Sequence, residues 1–195
     1  MNKRVFIVHG WSGHPKEGWF PWLKRELELQ GFFVFVPQMP NSNEPRIIPW
    51  VKALADSVGV IDRDTYFVGH SMGCQTIVRY LEREESSIVS GGAVFVAGFF
   101  SRLTNIASND LEKSVIKEWL ETPIDLEKVK KRLVKSIAIF SDNDPFVPLD
   151  NRITFETVLG SEVVVVSNQQ HFSGDTGTDQ LPIVEEALLK IVTRK

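Results

Sequence analysis

The stretch of the sequence with the clearest chemical meaning is the pattern G-x-S-x-G at residues 69–73, which places Ser71 between two glycines. Residues 65–68 before it are β-branched or aromatic and predict a short buried strand, whereas the apolar spacing from Cys74 to Leu81 predicts a helix directly after it. A strand that reverses into a helix within about two residues forces its apex into a strained backbone conformation and needs glycines beside it. We therefore predict that Ser71 is a nucleophile pushed out of a sheet, with the amides of a helix N-terminus beneath it.

A serine hydroxyl is a poor nucleophile at neutral pH, so it needs a base within hydrogen-bond distance, and the base needs an acceptor that fixes its tautomer. For a serine on such a turn, the acid follows in the chain and the histidine comes last. Of the four histidines, only His171 lies far beyond Ser71, in a loop after the last predicted strand. His171 is therefore the candidate base, while His70 is predicted to shape the turn.

The acid is expected in the loop after the fifth predicted strand, where the chain reads SDNDPFVP at residues 141–148. Asp144 is the preferred candidate, because Pro145 and Pro148 stiffen the chain around it and a rigid loop holds an orienting carboxylate well. Asp142, two residues earlier, remains the alternative.

An oxyanion formed during attack needs two hydrogen-bond donors. The first is predicted to be the backbone N–H of Met72, the residue after the nucleophile, and the second should come from the loop after the first strand. That loop is residues 9–13, where the Trp11 N–H is the preferred donor and Ser12 is second. His9 is expected to pack within the loop.

Six aromatic residues lie near the predicted catalytic loops: Trp11, Trp19, Phe99, Phe100, Phe146 and Phe172. Most aromatic residues in proteins belong to the core. Residues beside catalytic loops can instead line a binding pocket. We therefore hypothesise a small apolar pocket for an acyl group, with these side chains as its walls: Trp11, Phe99, Phe146 and Phe172.

Composition narrows the class of protein. A chain of 195 residues with 43% hydrophobic and 24% charged residues is typical of one soluble globular domain. Its net charge of −3 argues against nucleic acid as a main partner, because no basic excess exists to neutralise phosphates.

The single cysteine, Cys74, excludes an internal disulfide and a cysteine-based zinc cluster, and we expect it to pack as a small apolar group. Neither an H-E-x-x-H motif nor a G-x-G-x-x-G motif after the first strand is present, so we expect no metal, no dinucleotide and no other cofactor.

The beginning of the chain resembles no targeting segment. Only the apolar residues 5–8 separate Lys3 and Arg4 from His9, which is too short for a signal-peptide core. No run approaches the roughly 18 apolar residues that a membrane span requires. A cytoplasmic protein without a membrane span is the expectation.

Short apolar runs alternate with helical patterns along the chain, and the runs are continuously apolar, as in strands covered on both faces. This predicts one α/β domain over residues 1–195, a three-layer sandwich of about six mostly parallel strands with helices on both faces. In such sheets ligands bind beyond the carboxyl ends of the strands, where the candidate residues lie. Residues 99–135 form the longest span between strands and are interpreted as a small lid or insertion.

The sequence resembles the α/β-hydrolases and, more narrowly, the compact serine hydrolases of the YdeN and retinoblastoma-binding-protein type. The resemblance covers essentially the whole chain and rests on four motifs: VFIVHGWSG, FVGHSMG, FSDNDPFVP and QQHFSG. It implies a six-stranded, mostly parallel sheet without a large cap domain. It also implies that Ser71 is the nucleophile, His171 the base and Asp144 the residue that orients the base. Some members of the family carry a glycine-richer loop at residues 10–13, which leaves the second oxyanion donor open.

These observations predict a serine hydrolase that cleaves a small carboxylic ester or thioester through an acyl-enzyme on Ser71. An amidase or peptidase would use the same three residues, because leaving-group preference depends on pocket shape. The rival hypothesis is a protein-binding module that keeps the fold with little turnover and uses its acidic surface, or residues 99–135, for a protein partner. The presence of all three catalytic candidates favours the enzyme.

Overall fold

The computed structural model describes residues 3–84 and 89–193, and within these ranges six strands form one parallel sheet. The strands are β1 (Arg4–Val8), β2 (Phe33–Phe35), β3 (Thr65–His70), β4 (Gly92–Val96), β5 (Ser136–Ser141) and β6 (Glu162–Val166). Their spatial order is β2-β1-β3-β4-β5-β6, and every neighbouring pair is parallel. The order reverses between β1 and β3, so the carboxyl ends of these two strands flank the crevice where ligands bind in open sheets.

Helices cover both faces of this sheet, as the sequence predicts. The helices are α1 (Phe20–Leu29), α2 (Ile47–Val58), α3 (Met72–Arg83), α4 (Asp110–Glu121), α5 (Leu126–Lys130), α6 (Arg152–Thr154) and α7 (Pro182–Thr193). One apolar layer joins the sheet to α2 and α3, with Trp50 and Ile77 fully buried in it. The other layer joins the sheet to α1 and α7 through Leu23 and Leu188. Strands β3, β4 and β5 are buried along their whole length, which explains why their sequences are mainly apolar.

The segment from residue 149 to residue 159 is not one regular α-helix. A 3-10 turn at Leu149–Asn151 leads into α6, and a π-helical turn at Phe155–Leu159 follows. The ring of Phe155 is held among three other phenylalanine rings, with Phe100 closest at 4.6 Å between centroids. Phe155 is therefore buried in the core, and the backbone around it changes from one helix type to another.

Helix α4 is fixed to the body of the protein through Trp119, which is buried. Its indole N–H donates to the Pro45 carbonyl at 3.0 Å. From α3, the buried guanidinium of Arg79 donates to the carbonyls of Trp119 (3.0 Å) and Thr122 (2.8 Å). Within residues 99–135, Ile106 before α4 and Glu112 in the first turn of α4 border the carboxyl-end crevice.

None of the helices in the described part of the chain combines the length and the apolar character needed to cross a membrane.

Candidate active site

Ser71 occupies the sharp turn between β3 and α3. Its φ of 52° and ψ of −118° lie in a region that a non-glycine residue rarely adopts. The flanking glycines are required sterically, because a Cβ atom on Gly73 would lie 2.2 Å from the Val8 carbonyl oxygen and one on Gly69 would lie 2.8 Å from the Cys74 nitrogen. The sequence prediction of a strained turn with Ser71 at its apex is confirmed.

His171 and Asp144 form a hydrogen-bonded pair at the carboxyl ends of β5 and β6. The Nδ1 atom of His171 lies 2.8 Å from Oδ2 of Asp144, and only 11% and 2% of the two side chains are exposed. The other carboxylate oxygen, Oδ1, accepts hydrogen bonds from the amides of Phe146 (2.8 Å) and Val147 (2.9 Å). Since both oxygens are engaged, the carboxylate is fixed, and it favours the tautomer with the proton on Nδ1 and a free lone pair on Nε2.

Asp142, the alternative acid, has a different role. Its Oδ1 atom accepts a hydrogen bond from the Asn168 amide at 2.8 Å, and this bond holds the pKa of the carboxyl below its usual range. The side chain is exposed. The contacts therefore favour Asp144, which bonds His171 directly, as the orienting carboxylate.

The geometry around the predicted oxyanion site favours the Trp11 amide over that of Ser12. Met72 is the first residue of α3, where an amide has no acceptor within its own helix. The Ser12 amide donates to the Ser42 carbonyl at 2.7 Å and is therefore engaged. Among the backbone hydrogen bonds of residues 3–84 and 89–193, the Trp11 amide has no acceptor, while its indole N–H donates to the Asn43 carbonyl at 3.1 Å.

His9 packs within its loop, as predicted. Its Nδ1–H donates to the Gly10 carbonyl at 2.8 Å, and its Nε2 accepts from the Met39 amide at 3.0 Å. Burial lowers its pKa, and the hydrogen bond that Nε2 accepts requires a neutral ring. His9 therefore joins the loop after β1 to the chain that follows β2.

His70 does more than shape the turn, because its ring supports the loop that carries the candidate base. Its Nε2 atom lies 2.8 Å from the carbonyl oxygen of His171, and a neutral ring donates this bond from Nε2–H. Burial, followed by the neighbouring His171, lowers the pKa of His70 to about 3. One residue later, the Phe172 carbonyl accepts from the buried indole N–H of Trp19 at 2.9 Å. The sequence placed Trp19 among the aromatic residues near the catalytic loops but did not predict this hydrogen bond, because Trp19 and Phe172 lie far apart in the chain.

A cavity of about 550 Å³ opens above the turn, and Ser71 and His171 both line it. Of the predicted substrate-binding aromatics, Trp11 and Phe146 line it as well, and the Phe146 ring stands edge-on to the His171 ring with centroids 5.2 Å apart. Much of the remaining wall is charged or ionisable, which the prediction of an apolar pocket did not anticipate. The residues concerned are His14, Lys16, Glu17, Glu112, Asp175 and Asp179.

The prediction that Phe99 and Phe172 line the substrate pocket is wrong for this cavity. Phe99 is 1% exposed and Phe172 is fully buried, and they belong to the apolar layers on opposite faces of the sheet. Phe99 contributes its carbonyl, which accepts from the Gln75 side chain at 3.1 Å. Both rings pack in the core next to the loops of the site and are not available to a ligand in the cavity.

Residues 3–84 and 89–193 contain no cluster of three or more His, Cys, Asp or Glu side chains arranged to hold a metal ion. Cys74 is fully buried, and burial raises the pKa of its thiol. Its predicted role as a small apolar group in the core is confirmed.

Comparison with known proteins gives a consistent result. A family model described as serine hydrolase matches residues 5–190. The YdeN protein of Bacillus subtilis (strain 168) is 29% identical over 195 residues, which is 100% of this chain and 99% of that protein. The crystal structure of the B. subtilis ydeN gene product matches with a TM-score of 0.90 at 28% identity, covering 99% of this chain and 100% of that one.

Two more distant matches extend this result. The serine hydrolase RBBP9 of Rattus norvegicus is 23% identical over 188 residues, which is 95% of each chain. The carboxylesterase CesB of Bacillus subtilis shares the fold with a TM-score of 0.65 at 13% identity, covering 100% of this chain and 85% of that one.

Proposed function

Because the chain belongs to the serine hydrolase family, we propose that it hydrolyses a small carboxylic ester or thioester through an acyl-enzyme on Ser71. The observation that carries this proposal is the arrangement of three groups at one cavity. Ser71 stands on a strained turn at the cavity wall, and His171, held by Asp144 at 2.8 Å, lines the same cavity. A nucleophile, a base and a fixed carboxylate in this relation are the parts that acyl transfer requires.

In the proposed first half-reaction, the Ser71 hydroxyl oxygen attacks the substrate carbonyl carbon while Nε2 of His171 takes the hydroxyl proton. The carbonyl π-bond opens, and the oxyanion receives hydrogen bonds from the amides of Met72 and Trp11. The carbonyl re-forms as the bond to the leaving group breaks, and His171 returns the proton to the leaving oxygen or sulfur. Asp144 stabilises the positively charged imidazolium between these two proton transfers.

In the second half-reaction, water takes the place of the leaving group. His171 accepts a proton from water as the water oxygen attacks the acyl carbon, and the same two amides hold the second oxyanion. Collapse breaks the acyl–Ser71 bond, and the proton returns to the serine oxygen. The products are a carboxylic acid and the free enzyme, so no external oxidant or reductant is needed.

The charged wall of the cavity favours the binding of short, polar acyl groups over that of long alkyl chains. Glu17 is partly buried there, and burial raises its pKa, with a smaller contribution from the charge of Asp175 and an opposing effect from His14. A long alkyl chain laid against these carboxylates would remove them from water without offering a hydrogen bond, which is unfavourable. We therefore propose that short acyl esters and thioesters are turned over better than long ones.

The experiment that tests this function is hydrolysis of p-nitrophenyl esters of increasing chain length by the wild type and by Ser71→Ala. We expect the wild type to prefer the shortest esters and Ser71→Ala to lose roughly 10⁴-fold or more in kcat. Ser57→Ala, which changes an exposed serine on α2, is the matched control and should retain wild-type rates. Equal turnover by Ser71→Ala would refute the proposed nucleophile.

A further inference from the structure

The loop that carries His171 has an unusual backbone. Asn168, Gln170 and Phe172 have positive φ values of 57°, 47° and 55°, respectively, although none of them is glycine. A non-glycine residue in this region is held there at a cost in free energy, and the cost is greatest for a bulky side chain such as that of Phe172. Contacts from outside the loop must therefore compensate for these conformations.

The compensating contacts come from the loop after β5. Three consecutive side chains, those of residues 141–143, accept hydrogen bonds from three consecutive amides, those of residues 168–170. The bonds are Asn168 N–H to Asp142 Oδ1 (2.8 Å), Gln169 N–H to Ser141 Oγ (3.1 Å) and Gln170 N–H to Asn143 Oδ1 (2.8 Å). Successive amides in turn conformations point into a common concavity that binds negatively charged or polar oxygens, and here side chains occupy it.

This set of three bonds, the side-chain ladder, continues the sheet beyond the ends of its strands. Strands β5 and β6 pair in parallel up to Ser141 and Val166, and the Asp142 amide makes the last backbone contact, to the Val166 carbonyl at 3.2 Å. Beyond that point the chain no longer offers carbonyl acceptors in register, and the side chains take their place. The Ser141 hydroxyl also donates to Asn143 Oδ1 at 2.8 Å, which ties two members of the ladder together.

We infer that Ser141, Asp142 and Asn143 are positioning residues that hold the strained loop 168–172 so that the His171 ring bonds Asp144 and lines the same cavity as Ser71. In this assignment the SDND segment has two separate tasks. Asp144 orients the imidazole ring directly, whereas the three residues before it fix the backbone from which the ring projects. The inference rests on the proposed function for its effect on turnover, but the ladder itself is a property of the fold.

The ladder acts on one side of His171 only. On the other side, His70 donates to the His171 carbonyl and Trp19 donates to the Phe172 carbonyl. Loss of one ladder bond should therefore increase the mobility of loop 168–172, while the bonds from His70 and Trp19 still hold it. Asn143 does not line the cavity, so its loss should act on the position of the base and not on substrate contacts.

The test compares Asn143→Ala and Asp142→Ala with the conservative variant Asp142→Asn, which keeps an acceptor oxygen. A net hydrogen bond of about 1 kcal/mol corresponds to a five- to tenfold effect, so each alanine variant should lose roughly that factor in kcat with little change in KM. Asp142→Asn should recover most of the loss. Asp125→Ala is the matched control, because it removes the same kind of bond, from the Lys128 amide at 2.9 Å, at the start of α5.

Two further readouts do not depend on turnover. Hydrogen exchange measured by mass spectrometry should show faster exchange of amides 168–170 in the alanine variants, while their melting temperatures stay close to that of Asp125→Ala. The downfield NMR signal of the His171 Nδ1 proton should broaden or disappear in the double variant Asp142→Ala/Asn143→Ala.

The outcomes separate the two proposals. Unchanged exchange and an unchanged His171 signal in the double variant would overturn the positioning role. The same holds for a loss of kcat that Asp142→Asn does not recover. If the wild type hydrolyses no ester, the proposed function fails, and exchange and NMR still decide whether the ladder holds His171.

Discussion

Asparagine in place of Asp144 provides a sharp test of how the site orients its base. Oδ1 of Asp144 accepts hydrogen bonds from two backbone amides, whereas Oδ2 faces Nδ1 of His171. In Asp144→Asn the single carbonyl oxygen must remain beneath the amides of Phe146 and Val147, because an NH₂ group there would face two donors. The NH₂ group is then directed at Nδ1 of His171.

This geometry determines the tautomer of the base. Facing an NH₂ donor, Nδ1 of His171 must become an acceptor, so the ring proton moves to Nε2. Nε2 then has no free lone pair with which to take the Ser71 proton. The imidazolium also loses the negative charge that stabilises it during the reaction. The side chain of Asp144 is only 2% exposed, so water cannot replace the lost interaction.

The expected loss in kcat is roughly 10³- to 10⁴-fold, which corresponds to about 4–5.5 kcal/mol of transition-state stabilisation. The assay is steady-state hydrolysis of a short p-nitrophenyl ester, with circular dichroism to show that the fold is retained. Asp142→Asn on the same loop is the control and should stay within about tenfold of the wild type. A loss of less than tenfold in Asp144→Asn would refute the assignment of this carboxylate as the orienting group.

Two further predictions concern buried groups that support the site. Unfolded His70 is protonated below a pKa of 6.5, whereas the folded ring stays neutral down to about 3, so the free energy of unfolding should fall as the pH drops through this window. From this group alone the loss between pH 7 and pH 5 is about 2 kcal/mol, and urea titrations of His70→Gln, which keeps a donor toward the His171 carbonyl, should show a shallower pH dependence. An equally steep dependence in that variant would exclude His70 as its source. Arg79→Met should lower the free energy of unfolding by about 2 kcal/mol, because the carbonyls of Trp119 and Thr122 lose their donors, and denaturation of Arg79→Met with no measurable loss would contradict this role.

The sequence predicted the α/β-hydrolase fold and the family, and both are confirmed. Continuous apolar runs such as residues 93–96 clearly indicate strands, because most positions of a strand buried on both faces are apolar. The turn at Ser71 was also predictable, since its glycines are required by close contacts with the backbone. The chain order of serine, acid and histidine then indicated Asp144 and His171, which the structure brings together.

Other features of the site depend on contacts between distant parts of the chain. Phe99 and Phe172 lie beside candidate catalytic residues in the sequence, but the direction of each ring is set by packing against opposite faces of the sheet. The charged wall combines Glu17, Glu112 and Asp175, which come from three separate segments. No local sequence pattern indicates that these residues converge on one cavity, so the sequence alone predicted only the aromatic part of the wall.

The side-chain ladder likewise depends on contacts between distant parts of the chain and could not be predicted from the sequence. The SDND segment is a typical turn sequence, and its side chains can accept hydrogen bonds from many local amides. Their partners at residues 168–170 follow only from the parallel pairing of β5 and β6. The pairing register therefore brings the side chains of this ordinary turn sequence within hydrogen-bond distance of the loop that carries His171.

The measurement that tests the central claim most directly is mass-spectrometric mapping of a fluorophosphonate adduct on the intact protein. We predict one phosphonate per chain, attached to Ser71, with no adduct in Ser71→Ala and a normal adduct in Ser57→Ala. An adduct on any other residue, or none on folded wild-type protein, would contradict an activated serine at this turn.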